Sequence, residues 1–492
     1  MLSQRIRQPH GLPLLLLALW LIALAGWRPI ALPDEGRYGG VAYEMLVDGN
    51  WLTPTLFGLP YFHKPPLMYW IDIAAMHLLG PTPLALRAAP LLGAWLMGLA
   101  LWVEARARWG RDEANRALAL LAVLPLFYMG GQYANHDMLV AGWISLAIVA
   151  ARRAFGPDAA TERRTRLAWL CTAWAAMALG LLSKGLIGIV LPGLVVLPGL
   201  LLQRRWAALR FALHPLALAT FALIALPWFV AMQQRFPDFF DYFFLEQHFR
   251  RYTQTHFNNP QPWWFYVAVL PLGTLPASVL LPTLARRLRM APQARFDLWW
   301  AFAILLFFSL PRSKLVGYVL PVLLPTALLL FEAWRGRRWA TASWVFSALF
   351  CAALVPAVML WGRPDHADLG AALRERLAPG DRVLLAGNPF FDLRLQARLV
   401  APPAVLGDWE AVRRSGGDNW QRELADAARF APERGASVLW TSATLARERC
   451  APGRIWLLAL PQDAAGALPE AVPVVTGRRA TLFELPRPAA CP

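Results

Sequence analysis

Mostly uncharged, apolar runs of about 17 to 25 residues recur along the chain from Leu12 to about Trp361, the length that crosses ~30 Å of hydrocarbon. Short polar segments between them mark out eleven expected spans, near 12–32, 84–103, 116–134, 138–152, 167–183, 185–202, 208–232, 263–284, 297–311, 315–332 and 340–361. Leu67–Leu79 is a shorter apolar segment and reads as a helix lying at the membrane interface. Beyond Trp361 the pattern changes: residues 362–492 carry many charges and no spanning run. There the stretches 382–386, 436–440, 454–458 and 480–484 read as strands, and 408–414 and 420–430 as helices. The expected architecture is an all-α polytopic membrane domain over 1–361 with about eleven transmembrane helices, followed by a small soluble α/β domain over 362–492.

Composition agrees, because 57% hydrophobic residues in 492 is too apolar for one water-soluble globule. The net charge of +17 first points to nucleic acid, but its placement excludes that class. The arginines cluster between apolar runs, at 106, 108, 111 and 116, at 152, 153, 163, 164 and 166, and at 204, 205 and 210. Further clusters stand at 286, 287, 289 and 295 and at 335, 337 and 338. Basic clusters on alternate loops are the positive-inside signature, so the charge is mostly topological and these loops face the cytoplasm. The run Gly11–Leu32 fits either a cleaved signal peptide or an uncleaved first helix, and its length and the spans behind it favour the helix. Eleven crossings then put the N-terminus in the cytoplasm and the C-terminal domain outside, together with the long loops 33–83 and 233–262. Cys171 and Cys351 fall in expected spans, whereas Cys450 and Cys491 fall in the outer domain, where an oxidising compartment permits a disulfide.

Of 48 basic residues only Lys64, Lys184 and Lys314 are lysines, and all three fall on the expected outer side. A compact ammonium is a different tool from a guanidinium fork, and its concentration on one face calls for a reason. The same side carries Asp34 and Glu35 directly after the first span, and Asp137 in a turn between two spans. The bland readings are a helix start for the first two and snorkelling span ends for Lys184 and Lys314. A carboxylate at membrane depth costs about 2 to 3 kcal/mol even on lenient scales, so Asp137 should face a cavity or a partner. Together with Arg250, Arg251, Arg312, His63, His248, His256, Tyr38 and Tyr318, these residues form a set that can neutralise a phosphate leaving group and accept a proton from an incoming hydroxyl or amine.

Several motifs then coincide in order: Asp34-Glu-Gly-Arg-Tyr38, Glu44-Met-Leu-Val-Asp-Gly-Asn-Trp51, Tyr61-Phe-His-Lys-Pro-Pro66, Asn135-His-Asp137, Leu182-Ser-Lys-Gly185, Glu246-Gln-His-Phe-Arg-Arg251, Pro262-Trp-Trp-Phe-Tyr266 and Phe308-Ser-Leu-Pro-Arg-Ser-Lys-Leu-Val-Gly-Tyr318. In these the membrane part resembles the bacterial aminoarabinose transferases, integral-membrane glycosyltransferases of the GT-C class related to protein O-mannosyltransferases. The resemblance implies transfer of a sugar, 4-amino-4-deoxy-L-arabinose in the best-known members, from a polyprenyl monophosphate carrier to lipid A or another envelope acceptor. It implies a place in the bacterial inner membrane with the chemistry on the periplasmic face, and no nucleotide cofactor. By motif position, Asp34 matches an acid that acts as base or positions the acceptor, with Glu35 and Asp137 as further candidate catalytic acids. Lys64 matches a lysine at the donor phosphate, and Lys184, Arg250, Lys314 and Tyr318 are its candidate companions. The chain departs from the family at His63, where a glutamate usually precedes the loop lysine and binds a metal with a histidine of the later long loop. His63 with His256 is the corresponding expectation here, with zinc as the divalent metal such ligands suit. Single displacement with inversion is the expected mechanism, since no second well-placed carboxylate argues for a covalent intermediate. Two alternatives stand beside it: the same chemistry on a protein or glycan acceptor, and a flippase that moves a lipid-linked sugar. The lack of an internal repeat weighs against the flippase.

Overall fold

The structure, a computed structural model, describes residues 11–156, 162–250, 259–282, 292–362, 365–415, 419–489 and 491, with the backbone alone at 247–250, 292 and 465–467. Helices occur at each of the eleven expected places, but they are of two kinds. Among the described residues six are long and apolar enough to cross a bilayer: Ala88–Trp109, His136–Phe155, Arg163–Lys184, Trp206–Arg235, Val316–Trp334 and Ala340–Trp361. Arg111–Ala122 and Pro125–Gly131 make a seventh if the pair counts as one span broken by a 73° bend. The bend has a local cause, because Leu124 precedes a proline and is held in the extended region at φ −69° and ψ 123°. The other expected spans are shorter. The helix Leu12–Ile22 has 11 residues, about 17 Å at 1.5 Å per residue, and leaves helical geometry well before Leu32. Ile187–Leu202 has 16 residues and contains Pro192 and Pro198. The segment Leu67–Leu79, expected as a helix, is one over those same residues.

The chain divides into two compact units, one made of 1–27, 87–231 and 259–357, the other of 28–86, 232–258 and 358–492. In the first unit, Ala88–Trp109 and His136–Phe155 pack backbone against backbone. A Cβ on Gly93 would lie 2.3 Å from the Met138 carbonyl oxygen, and one on Gly142 would lie 2.2 Å from the Gly93 oxygen. Such close approach is how small residues join apolar helices where no water is squeezed out between them. At the other end of these helices Arg108 donates to Glu104 (2.7 Å) and to both oxygens of Asp297 (2.5 and 2.8 Å), and Arg152 pairs with Glu104 at 3.0 Å. All four side chains are buried. Arg108 and Arg152 are therefore internal ion-pair members as well as contributors to charge topology.

The second unit gathers the two long expected loops with the C-terminal domain. Its sheet runs in the order β5-β4-β3-β6-β8-β7, where β3 is Arg382–Ala386, β4 Ala404–Leu406, β5 Leu439–Trp440, β6 Ile455–Ala459, β7 Val472–Thr476 and β8 Thr481–Leu485; β1 and β2 are the short hairpin strands Thr55–Leu56 and Leu59–Pro60. β4, β3 and β6 are mutually parallel in sequence across the sheet, and β8 and β7 add an antiparallel edge. Every residue of β6 is buried, as befits a central strand paired on both sides, parallel to β3 and antiparallel to β8. The expected α/β character is present, and all four expected strands have a counterpart among the six of this sheet. The strand expected at 436–440 is reduced to two residues, because Pro432–Val438 is helical. β4 and β7 were not expected: β4 has only three residues, and β7 contains Pro473, which a sheet tolerates at an edge. A disulfide joins Cys450 and Cys491, 41 residues apart.

Candidate active site

The helix Asp34–Val47 opens the first long loop and holds three acids in three settings. Glu35 is buried, accepts two bonds of 2.8 Å from Arg28 and one of 2.7 Å from the Ala31 amide, and so pins the helix start. Glu44 is buried and accepts from the amides of Phe57 and Gly58 at 2.6 and 2.9 Å, which fixes the turn between β1 and β2; Arg394 lies 2.9 Å away. Burial pushes the Glu44 carboxyl up, and Arg394 and the turn amides pull against it. That turn has positive φ at both central residues, Phe57 at 53° and Gly58 at 76°, as a tight hairpin demands. Asp34, by contrast, keeps 35% of its side chain exposed, so a substrate can reach it. One turn further on, Arg37 Nη2 donates to Asp34 Oδ1 at 2.8 Å, while its Nη1 donates to the two oxygens of Glu423 at 3.0 and 3.1 Å. Burial opposes the charge of Arg37, but Tyr61, Tyr38, Glu423 and Asp34 hold its pKa well above the ordinary value, so it stays cationic. Glycines set this helix close to the C-terminal domain: a Cβ on Gly40 would lie 2.9 Å from the Phe391 oxygen.

The hairpin delivers the segment Tyr61-Phe-His-Lys64. Phe62 is buried in an aromatic knot with Phe236, Phe239 and Phe430, with ring centroids 4.8 to 5.1 Å away. His63 stacks on Tyr61, shares a 2.7 Å hydrogen bond between its Nε2 and the Tyr242 hydroxyl, and points Nδ1 at Glu423 Oε1, 3.8 Å away. Lys64 is half-buried, with Nζ donating to the His63 carbonyl at 3.0 Å.

In the other unit, Asp137 and Lys184 form an ion pair. Asp137 lies in the first turn of His136–Phe155, where negative charge is favoured, and Asn135 both caps that helix and donates to Asp137 Oδ2 at 2.9 Å. The Lys184 ammonium stands 4.7 Å from the centroid of the Tyr318 ring, a cation–π contact. Gly317 makes room for the carboxylate, since a Cβ there would sit 2.2 Å from Asp137 Oδ2. Lys314 is buried and donates to the carbonyls of Pro311 (2.6 Å) and Gln261 (3.2 Å), using two of its three N–H groups, and burial lowers its pKa. Three expected residues, Asp137, Lys184 and Tyr318, thus meet in this unit, and Asp34 and Lys64 share the other with Glu35. His256 and the Arg250 side chain lie outside the described residues.

The sequence reading passed over Arg37, Tyr242 and Glu423. Arg37 lies in the Asp34–Tyr38 motif, where an arginine one turn after an acid looks like an ordinary helix-surface pair. Glu423 has no local signal, since an acid in the first turn of the helix Trp420–Arg429 looks like ordinary dipole compensation.

Residues 15–243 match the family described as dolichyl-phosphate-mannose-protein mannosyltransferase. An undecaprenyl phosphate-alpha-4-amino-4-deoxy-L-arabinose arabinosyl transferase of Aeromonas salmonicida is 33% identical over 386 residues, 74% of this chain and 69% of the relative. The chain belongs to this arabinosyl transferase family. A member from Pseudomonas fluorescens is 35% identical over 366 residues, 71% of this chain but 62% of that protein, so the alignments leave about a third of the relatives' length unmatched. The fold is that of the family too: the crystal structure of ArnT from Cupriavidus metallidurans bound to undecaprenyl phosphate superposes with a TM-score of 0.82 at 23% identity, covering 98% of each chain. It is a fold of the GT-C class, with a helical membrane part and a C-terminal sheet domain.

The metal expected from the family finds a poor setting at His63. Its Nε2 is engaged by Tyr242, its Nδ1 faces Glu423, and that carboxylate already lies against the Arg37 cation. A dication there would be placed beside a guanidinium. Among the described residues no group of three His, Cys, Asp or Glu could hold a metal ion.

Proposed function

We propose that this chain is a polyprenyl-phosphate-dependent glycosyltransferase of the bacterial inner membrane, moving 4-amino-4-deoxy-L-arabinose from undecaprenyl phosphate to lipid A on the periplasmic face. The observation that carries this reading is the family match together with a partly exposed acid, Asp34, held by the half-buried cation Arg37 in the loop that also bears Lys64. In the reaction, Asp34 takes the proton of the acceptor hydroxyl as its oxygen attacks the anomeric carbon. The bond from that carbon to the phosphate oxygen breaks on the opposite face, giving inversion and releasing the polyprenyl phosphate. Lys64, in the same unit as Asp34, neutralises the charge that grows on the phosphate. Asp137 and Tyr318 keep the Lys184 ammonium in place, Lys314 ties the loop 311–314 to 259–261, and Glu35 holds the helix that presents Asp34. The shorter apolar helices, with the apolar residues that follow them, complete eleven crossings that leave the N-terminus in the cytoplasm and residues 362–492 in the periplasm.

In reconstituted membranes, Asp34→Asn and Lys64→Ala should each lower transfer by about 10² or more. Full activity of both would overturn the assignment. Deleting the gene should remove the aminoarabinose mass increment from lipid A. A second reading, transfer to protein, is favoured by the match of residues 15–243 to a protein mannosyltransferase family. Glycopeptides lost on deletion, with an unchanged lipid A spectrum, would decide for it.

A further inference from the structure

Resting on that reading, we infer that Glu423, in the C-terminal domain, is a positioning residue for the transfer, and that with His63 and Tyr242 it forms a metal-independent clasp on the loop carrying Lys64. One carboxylate does two jobs. It receives both bonds from Arg37 Nη1, which turns the guanidinium so that Nη2 reaches Asp34 at 2.8 Å. It also faces His63 Nδ1 at 3.8 Å, inside ion-pair reach though beyond a direct hydrogen bond. A carboxylate on that side favours the proton on Nδ1, leaving the Nε2 lone pair to accept from the Tyr242 hydroxyl at 2.7 Å. His63 is thereby held from two elements, and the next residue is Lys64.

The clasp has a rigid base. Glu423 is largely buried, with 13% of its side chain exposed, and lies in the first turn of Trp420–Arg429, whose N-cap is the Asn419 side chain at 2.9 Å from the Arg422 amide. Phe430, directly after that helix, packs on both Phe62 and Tyr242, at 4.8 and 5.3 Å between centroids. The aromatic contacts fix the loop's distance from the domain, and the polar ones fix its direction. Where a Glu and His would grip a cation, this chain presents a histidine, a tyrosine, a glutamate and an arginine, whose charges already balance.

The test uses the purified full-length protein in liposomes with undecaprenyl-phosphate-linked aminoarabinose and lipid A. Glu423→Ala should lower kcat by about tenfold or more with KM for the donor nearly unchanged, because misplacing reacting groups by a fraction of an ångström loses rate before binding. Glu423→Gln, which keeps one acceptor oxygen for Arg37, should recover part of that loss. His63→Ala combined with Glu423→Ala should be little worse than the poorer single variant, since both act through one clasp. Chelation followed by metal analysis should leave parent activity intact. Melting in detergent and an intact Cys450–Cys491 bond separate this effect from misfolding. A kcat for Glu423→Ala within twofold of the parent overturns the positioning role. One zinc per chain whose removal abolishes activity and whose return restores it overturns the metal-independent clasp. Should Asp34→Asn stay active, the underlying reading of the site fails, and the inference with it.

Discussion

Arg37 reaches two acids that lie 389 residues apart in number, Asp34 one turn before it and Glu423 in the C-terminal domain, and its fork geometry is what allows both. A lysine has the charge but one point of contact, so the exchange is not conservative here. Arg37→Lys should lower transfer by about tenfold while leaving the melting temperature close to the parent's, read by activity in liposomes and scanning fluorimetry in detergent. Asp381 is the residue whose titration is best framed by its surroundings. Burial alone would raise its carboxyl, but the amides of Ala378 and Arg454, the Trp456 indole and the Arg454 guanidinium all donate to it, and the net pKa is lowered. A depressed folded-state value stabilises at every pH above the unfolded one, near 3.9, and that stability is lost as pH falls through the folded value. Asp381→Asn should therefore flatten the acid-unfolding profile of the full chain below about pH 4, with little change in its shape above. An unchanged acid limb would contradict this.

At the level of elements, hydrophobic periodicity was a sound guide to where helices lie and a poor guide to how far they run. Leu12–Leu32 is apolar but for Arg28, yet helix stops at Ile22; the bend before Pro125 splits another run in two. A composition window sees transfer free energy, whereas helix length also depends on prolines and on which neighbours are packed alongside. The same holds for charges at helix ends. Arg108 and Arg152 read as loop charges, but with Glu104 and Asp297 they form a buried network joining three helices. Removing one member leaves an uncompensated buried charge, so Arg108→Ala should destabilise the chain by about 3 to 5 kcal/mol, seen as a lower melting temperature in detergent. In the C-terminal domain the strands found from the sequence were the buried hydrophobic runs β3, β5, β6 and β8; β4 and the proline-containing edge β7 lacked that signal.

For the whole molecule, the two loops that look like separate connectors belong to one compact unit with the C-terminal domain. That unit is held near its end by the Cys450–Cys491 bridge, which in the chain-entropy account contributes about 4 kcal/mol for a loop of this length. Reductant, or Cys491→Ser, should lower the resistance of residues in this domain to limited proteolysis while leaving the membrane helices protected. Equal protection before and after reduction would show that the bridge adds nothing measurable.

By itself the sequence determined the membrane character, the side on which the three lysines are expected, the α/β pattern of the tail and the acids and bases proposed for a glycosyltransferase site. These properties are local: they depend on run length, alternation and the charges between neighbouring runs. Only the tertiary structure decided which charges meet. It turned Glu35 inward onto Arg28, left Asp34 exposed, paired Asp137 with Lys184, and brought Glu423 to Arg37 across 386 positions of chain. Such pairings depend on how the hairpin, the aromatic knot and the sheet domain pack against one another, and no stretch of sequence short enough to scan carries that information.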